Sequence, residues 1–154
     1  MIPDDTYRDR LAATIGALSD WAQSVKDAAH VDITNSDAFW KLRVEPRAPG
    51  ACPFELLFDG HQQFSLALAD EIYENRPVDR FDFFLMLVRA IERGGVERIE
   101  SRNALTDALA AIEMKVELGD GWAWVGERRV GSRAALKSDG GKVHRTARFL
   151  PYRR

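Results

Sequence analysis

Apolar residues recur at intervals of three and four near the start of the chain. Leu11, Ile15, Leu18, Ala22, Val25 and Ala29 lay one stripe along a helix. Asp4 or Asp5 stands where the orphan amides of a helix start need an acceptor, so the spacing predicts a helix from there to about His30. Gly16 weakens it slightly, or admits a close neighbour. The stretch DITNSD (32–37) reads as a turn.

The period then changes to two. Trp40, Leu42 and Val44 alternate with Lys41, Arg43 and Glu45, which predicts a strand with one apolar face, stopped by Pro46. Residues 47–53 read as a loop. Two further strands flank residues 58–60, with Phe54 and Leu56 on one side and Phe64, Leu66 and Leu68 on the other. A three-residue loop with a left-handed Gly60 puts Phe54 opposite Phe64 and keeps the apolar side chains on one face. It also sets His61 opposite Leu57, on the face of Glu55 and Gln63. Residues 69–76 fit either the tail of a strand or a short turn of helix.

Phe81, Phe84, Leu85, Leu87, Val88 and Ile91 predict a second helix, opened by Asp79 and Asp82 in the manner of a capping box and closed by Gly94-Gly95. Phe83 and Met86 widen its apolar surface beyond one stripe. Such a helix is sandwiched between a sheet and the first helix, or forms a homodimer seam. Strands follow over 96–101, 109–118, 122–129 and 143–150, with a turn at 138–141 and Pro151 at the end. At Gly119, Asp120 and Gly121 the odd-length loop again decides the faces. It sets Val116 opposite Trp124 and Leu118 opposite Trp122, so both tryptophans join Ile112 and Met114 at the core or its rim.

The predicted fold is α+β: two main helices and a mostly antiparallel sheet of about five to seven strands, in the order α-β-β-β-α-β-β-β with room for one more strand. A chain of 154 residues, 45% apolar and 30% charged, suits one domain with a sizeable core. The basic segment 128–154 is expected to belong to it. One cysteine, Cys52, excludes an intrachain disulfide and fits a reducing compartment. The first residues lack a signal-peptide pattern and no apolar run reaches membrane-spanning length, so a cytoplasmic protein without membrane partners is expected.

Charge changes the picture more than composition does. Residues 1–100 hold 18 acidic and 11 basic residues, whereas residues 101–154 hold 6 acidic and 11 basic. Arg128, Arg129, Arg133, Lys142, Arg145 and Arg148 are therefore candidates for binding a polyanion, with Lys137, Arg153 and Arg154 beside them. Alternation from Val143 splits these bases between two faces. The alternative is that they pair with the acidic first part of the same fold.

Signals for catalysis are sparse. His61 with Glu55 is a candidate proton-transfer pair. Ser132, His144 and Asp139 supply the residue types of a triad and nothing more. His30 with Asp32 is too few ligands for zinc, and the acidic stretch Asp70, Glu71, Glu74 and Asp79 matches no calcium loop. No glycine-rich phosphate cradle is present, and neither cofactor nor metal is expected. Cys52 reads as a half-buried structural residue. The leading functional reading is a non-enzymatic protein-interaction module, with a protein partner or its own copy bound through Phe83, Met86, Trp122 and Trp124. Nucleic-acid binding through the basic end is the alternative, and a small hydrolase-like enzyme using His61 and Glu55 is the second.

Overall fold

Two acidic residues, Asp4 and Asp5, occupy the first turn of helix α1 (Asp4–Ser24), where negative charge is stabilised by the helix dipole. In the computed structural model, which describes residues 2–130 and 141–153, neither caps the helix through its side chain; Pro3 holds that position. The helix stops short of His30. Arg47 donates from Nη1 to the carbonyls of Lys26 (3.2 Å) and Asp27 (2.7 Å) and so closes the turns that follow it.

Strand β1 (Ala29–Asn35) takes up most of the stretch expected to be a turn. It pairs along its length with β2 (Phe39–Pro46), and the bend shrinks to Ser36, whose hydroxyl accepts from the amides of Ala38 and Phe39, both at 3.2 Å. The strand lies at a sheet edge and most of its side chains are exposed. Asp, Thr and Asn are tolerated there because one row of hydrogen bonds suffices and neither face is fully covered.

β2 continues through β3 (Phe54–Asp59), β4 (Gln63–Leu68) and β5 (Glu71–Pro77) as an antiparallel five-stranded meander. Trp40, Leu42, Val44, Phe54, Leu56, Phe58, Phe64, Leu66 and Leu68 are buried on one face, as the alternation required. The β3–β4 register differs from expectation. Phe58, not Phe54, faces Phe64, because the odd loop is centred on His61. Asp59 accepts the His61 amide at 2.8 Å, and Gln62 rather than Gly60 takes the left-handed conformation (φ 56°). The Gln62 side chain is held by the Ile2 carbonyl at 2.8 Å. Parity survives the shift, since both centres leave an odd loop.

Of residues 69–76, Ala69 and Asp70 form a turn and the rest belongs to β5 (Glu71–Pro77), which carries a bulge. Leu66 faces Tyr73, but Phe64 faces Arg76. The extra residue includes a left-handed Asn75 (φ 56°), whose amide is taken by the Ser65 hydroxyl at 3.2 Å.

Helix α2 (Asp82–Glu92) packs between α1 and the second sheet, the sandwich its wide apolar surface allowed. It has no side-chain cap, so the expected Asp79–Asp82 box does not form. Phe83, Phe84, Leu87, Val88, Ala90 and Ile91 are buried, and Leu85 and Met86 are half-buried against the same core. Among the described residues the second sheet runs β8 (Trp122–Arg129), β7 (Leu109–Gly119), β6 (Val96–Asn103), β9 (Lys142–Arg148), all antiparallel. The order of helix, strands, helix, strands is the one read from the sequence, with the strands divided between two sheets.

The chain's end locks the layers together. Tyr152 donates its amide to Glu92 O and its hydroxyl to Cys52 O, at 2.8 and 2.7 Å. Arg153 reaches Asp27 and Glu92. Gly94 (φ 82°) permits this crossing, for a Cβ there would lie 2.8 Å from the Pro151 nitrogen.

Candidate functional site

The β7–β8 hairpin answers where the tryptophans go. Asp120 and Gly121 form a two-residue bend with both φ positive (53° and 78°), the mirror-type turn that suits right-twisted strands. A register shift between Glu117 and Gly119 restores the parity that this even loop would have reversed. Val116 therefore faces Trp124 as expected, while Trp122 faces Gly119 rather than Leu118. Both indoles turn to the buried side, and both stop half-buried at its rim.

There they wall a cleft of about 340 Å³. Its floor is Phe64 from β4 with Phe83 and Phe84 from the first turn of α2; its other side is the end of β5 and the loop into α2, Arg76 to Arg80. The rings are locked edge to face or tilted: Phe64–Phe84 at 5.1 Å, Phe83–Phe84 at 5.1 Å, Phe83–Trp122 at 6.0 Å and Tyr73–Trp124 at 5.1 Å between centroids. The loop is anchored by buried Val78, whose amide donates to Gln62 O at 3.0 Å.

Two guanidinium groups flank the aromatic walls. Arg80 lies 4.2 Å over the Trp122 ring and donates from Nε (3.1 Å) and Nη2 (2.5 Å) to Asp82. Those hydrogen bonds hold the Asp82 carboxyl below its usual range and raise Arg80 further. Arg76 lies 5.8 Å from the Tyr73 ring, and no carboxylate of the described residues comes within ion-pair distance of it. The bulge in β5 puts Arg76 here. Without the extra residue, period-two alternation from Tyr73 would bring Asn75 to the face of Phe64 instead.

Four candidates read from the sequence thus divide. Phe83, Trp122 and Trp124 meet in the cleft; Met86 packs on the core elsewhere and does not line it. Arg76 and Arg80 escaped the sequence reading. The only local signal was RPVDR itself, two arginines beside an aromatic helix start, and the surface they share with β8 depends on a sheet-to-sheet contact.

Among the described residues, the basic candidates mostly lie beside carboxylates. Arg128 is bound to Glu71, Arg129 lies 3.5 Å from Glu127, Arg145 3.6 Å from Asp107, and Arg148 3.7 Å from Glu97. Lys142 is exposed on β9. Arg133, with Ser132, Lys137, Asp139 and Arg154, lies outside the described residues. Among the described residues, Arg128, Arg129, Arg145, Arg148 and Arg153 of the basic end each lie within ion-pair distance of a carboxylate of the same fold.

His61 sits in the β3–β4 bend, and Glu55 faces Ala67 well along the strands, 3.4 Å from Lys41. The expected juxtaposition of His61 with Leu57 fails because Leu57 faces Ser65. Glu55 lines a shallow cleft with Arg43 and Glu45 that does not include His61. His144 lies 3.0 Å from the Ser101 hydroxyl on an exposed strand, and His30 lies 3.2 Å from Asp32. Among the described residues no group of three potential metal ligands converges. Asp70 and Glu71 are held by Arg98 and Arg128. Cys52 is fully buried rather than half-buried, and burial pushes its thiol up to about 12. No described helix is long and apolar enough to cross a membrane. Comparison with family models, with curated proteins and with solved structures finds no match for this chain.

Proposed function

We propose that this protein is a binding module that receives a segment of a partner protein in the cleft between α2 and β8. One observation carries the reading: Phe83, Trp122 and Trp124, supplied by elements far apart in sequence, converge with Arg76 and Arg80 on one concavity. Trp and Arg dominate the energetics of protein interfaces because they combine large apolar area with directed donors. Here the rings are held by neighbours before any partner arrives, so little ordering cost falls on binding. The surface is moved from the exposed face of α2, where the wide helix placed it, to the helix's first turn.

A displayed peptide library panned on the immobilised protein tests this. Peptides enriched on the wild type should lose about tenfold or more in affinity for Trp122→Ala, the scale of a hot-spot truncation. Equal binding of every enriched peptide to both proteins, with Trp122→Ala folded by circular dichroism, would refute the cleft as the docking site.

A further inference from the structure

The geometry points to an acidic partner segment, in which one aromatic side chain enters the cleft and a neighbouring Asp or Glu pairs with Arg76. This inference rests on the cleft being a docking site. It adds the chemistry of the occupant.

Size sets the first condition. A volume of about 340 Å³ is near the lower end of ligand sites, which run about 300–1,000 Å³. It has room for a large side chain of a partner. Ring geometry sets the second. The half-buried indoles of Trp122 and Trp124 offer edges and faces to an entering ring, the arrangements aromatic pairs prefer. Charge sets the third. Two guanidinium groups and one carboxylate, Asp79, line the cleft; because Asp82 already neutralises Arg80, the attraction for an anion at the rim rests on Arg76. Asp82 occupies Nε and Nη2 of Arg80 and leaves its Nη1 donors. Arg76 differs from Arg128, Arg145 and Arg148, each of which already faces a carboxylate. Its position follows from the β5 bulge, a device that re-aims a side chain at a site.

The same facts favour a short acidic segment over a nucleic acid. A strand with a phosphate at every residue needs a run of open cations beside its stacking surface. The arginines of β8 and β9 are engaged by Glu71, Glu127, Asp107 and Glu97 instead.

The test is fluorescence anisotropy with labelled, acetylated and amidated twelve-residue peptides on one Gly/Ser frame. Their centres are Glu-Phe-Glu, Gln-Phe-Gln, Lys-Phe-Lys or Glu-Ala-Glu, and a labelled single-stranded oligonucleotide of equal length is run beside them. Glu-Phe-Glu should bind tightest. Replacing Phe with Ala should cost about tenfold or more. Replacing Glu with Gln should cost about three- to fivefold, the worth of an exposed ion pair, and Lys more. Arg76→Gln should erase the preference of Glu over Gln while the Phe peptides still bind. Added salt should narrow that preference in the wild type alone. Equal binding of the Glu, Gln and Lys peptides overturns the acidic segment and leaves the docking site standing. No binding of any Phe peptide overturns both. Tighter binding of the oligonucleotide, lost in Trp122→Ala, assigns the cleft to nucleic acid. A dimer in sedimentation that Trp122→Ala dissociates assigns it to a second copy; either result overturns the inference.

Discussion

Arg128 of β8 grips Glu71 of β5 with two parallel hydrogen bonds, Nε to Oε2 at 2.8 Å and Nη2 to Oε1 at 2.9 Å. Glu71 is 2% exposed, whereas half of the Arg128 side chain remains in water. The pair ties the edge strand of one sheet to the edge strand of the other, beside the cleft. A residue counted among the candidates for binding a polyanion thus serves the fold.

Arg128→Met should strand a buried carboxylate. The cost should be about 2–3 kcal/mol in urea unfolding, less than the ~3–5 kcal/mol of a fully buried pair because water screens the arginine. Glu71→Leu combined with Arg128→Met should recover most of that loss. A coupling near zero across the four proteins of this cycle would mean that the clamp contributes nothing.

Gly126→Ala should destabilise through crowding, not through backbone strain. Its Cβ would lie 2.6 Å from Cε1 and Cζ of Tyr73 and 2.7 Å from the Trp124 ring. Overpacking of this kind costs about 1–3 kcal/mol. Tyr73→Leu made in the Gly126→Ala background should be less harmful than in the wild type, because the smaller side chain relieves the contact. Denaturant midpoints of the single and double variants decide it.

Alkali should weaken the fold from about pH 9 upward. Burial raises the Cys52 thiol from 9.0 to about 12 and, with Glu71 adding to it, the Tyr73 phenol from 10.0 to about 12; burial raises Tyr152 as well. The unfolded chain then loses these protons before the folded one. Stability is fully present below the unfolded values and is lost as pH climbs toward the folded ones. Urea midpoints measured between pH 8 and 11.5 should fall steadily above pH 9, with a smaller fall in Cys52→Ala. A flat profile there contradicts the burial of these groups.

Cys52 should resist thiol reagents in the native protein. Its sulfur is buried and protonated at pH 8, so modification must wait for opening of the chain. Tyr152→Phe removes the donor to the Cys52 carbonyl and should cost about 1–3 kcal/mol. Labelling of Cys52 at pH 8 should accelerate accordingly, by about tenfold for each 1.4 kcal/mol. An unchanged labelling rate would show that the terminal segment does not guard this site.

Much of the architecture was legible in short windows. Strict alternation in 40–45, 54–68 and 112–124 named the buried face of each strand, and the run from Phe81 to Ile91 named α2. Side-chain parity even placed Trp124 across from Val116, although the hairpin reached that pairing by a two-residue turn and a bulge. β1 was hidden because an exposed edge strand buries too little to carry an apolar period, and β5 because its bulge interrupts one. For the site, Phe83 and the tryptophans were legible as apolar surplus, whereas Arg76 and Arg80 were not.

The sequence by itself determined which side of each element is oily, because the periods of two and 3.6 are local properties of the backbone. Only the tertiary structure decided which charges meet and where the core stops short of closing. Glu71 and Arg128, like Arg76 and Trp124, stand about fifty residues apart and on different sheets. Their meeting depends on how the two sheets dock, a long-range arrangement that no local spacing encodes.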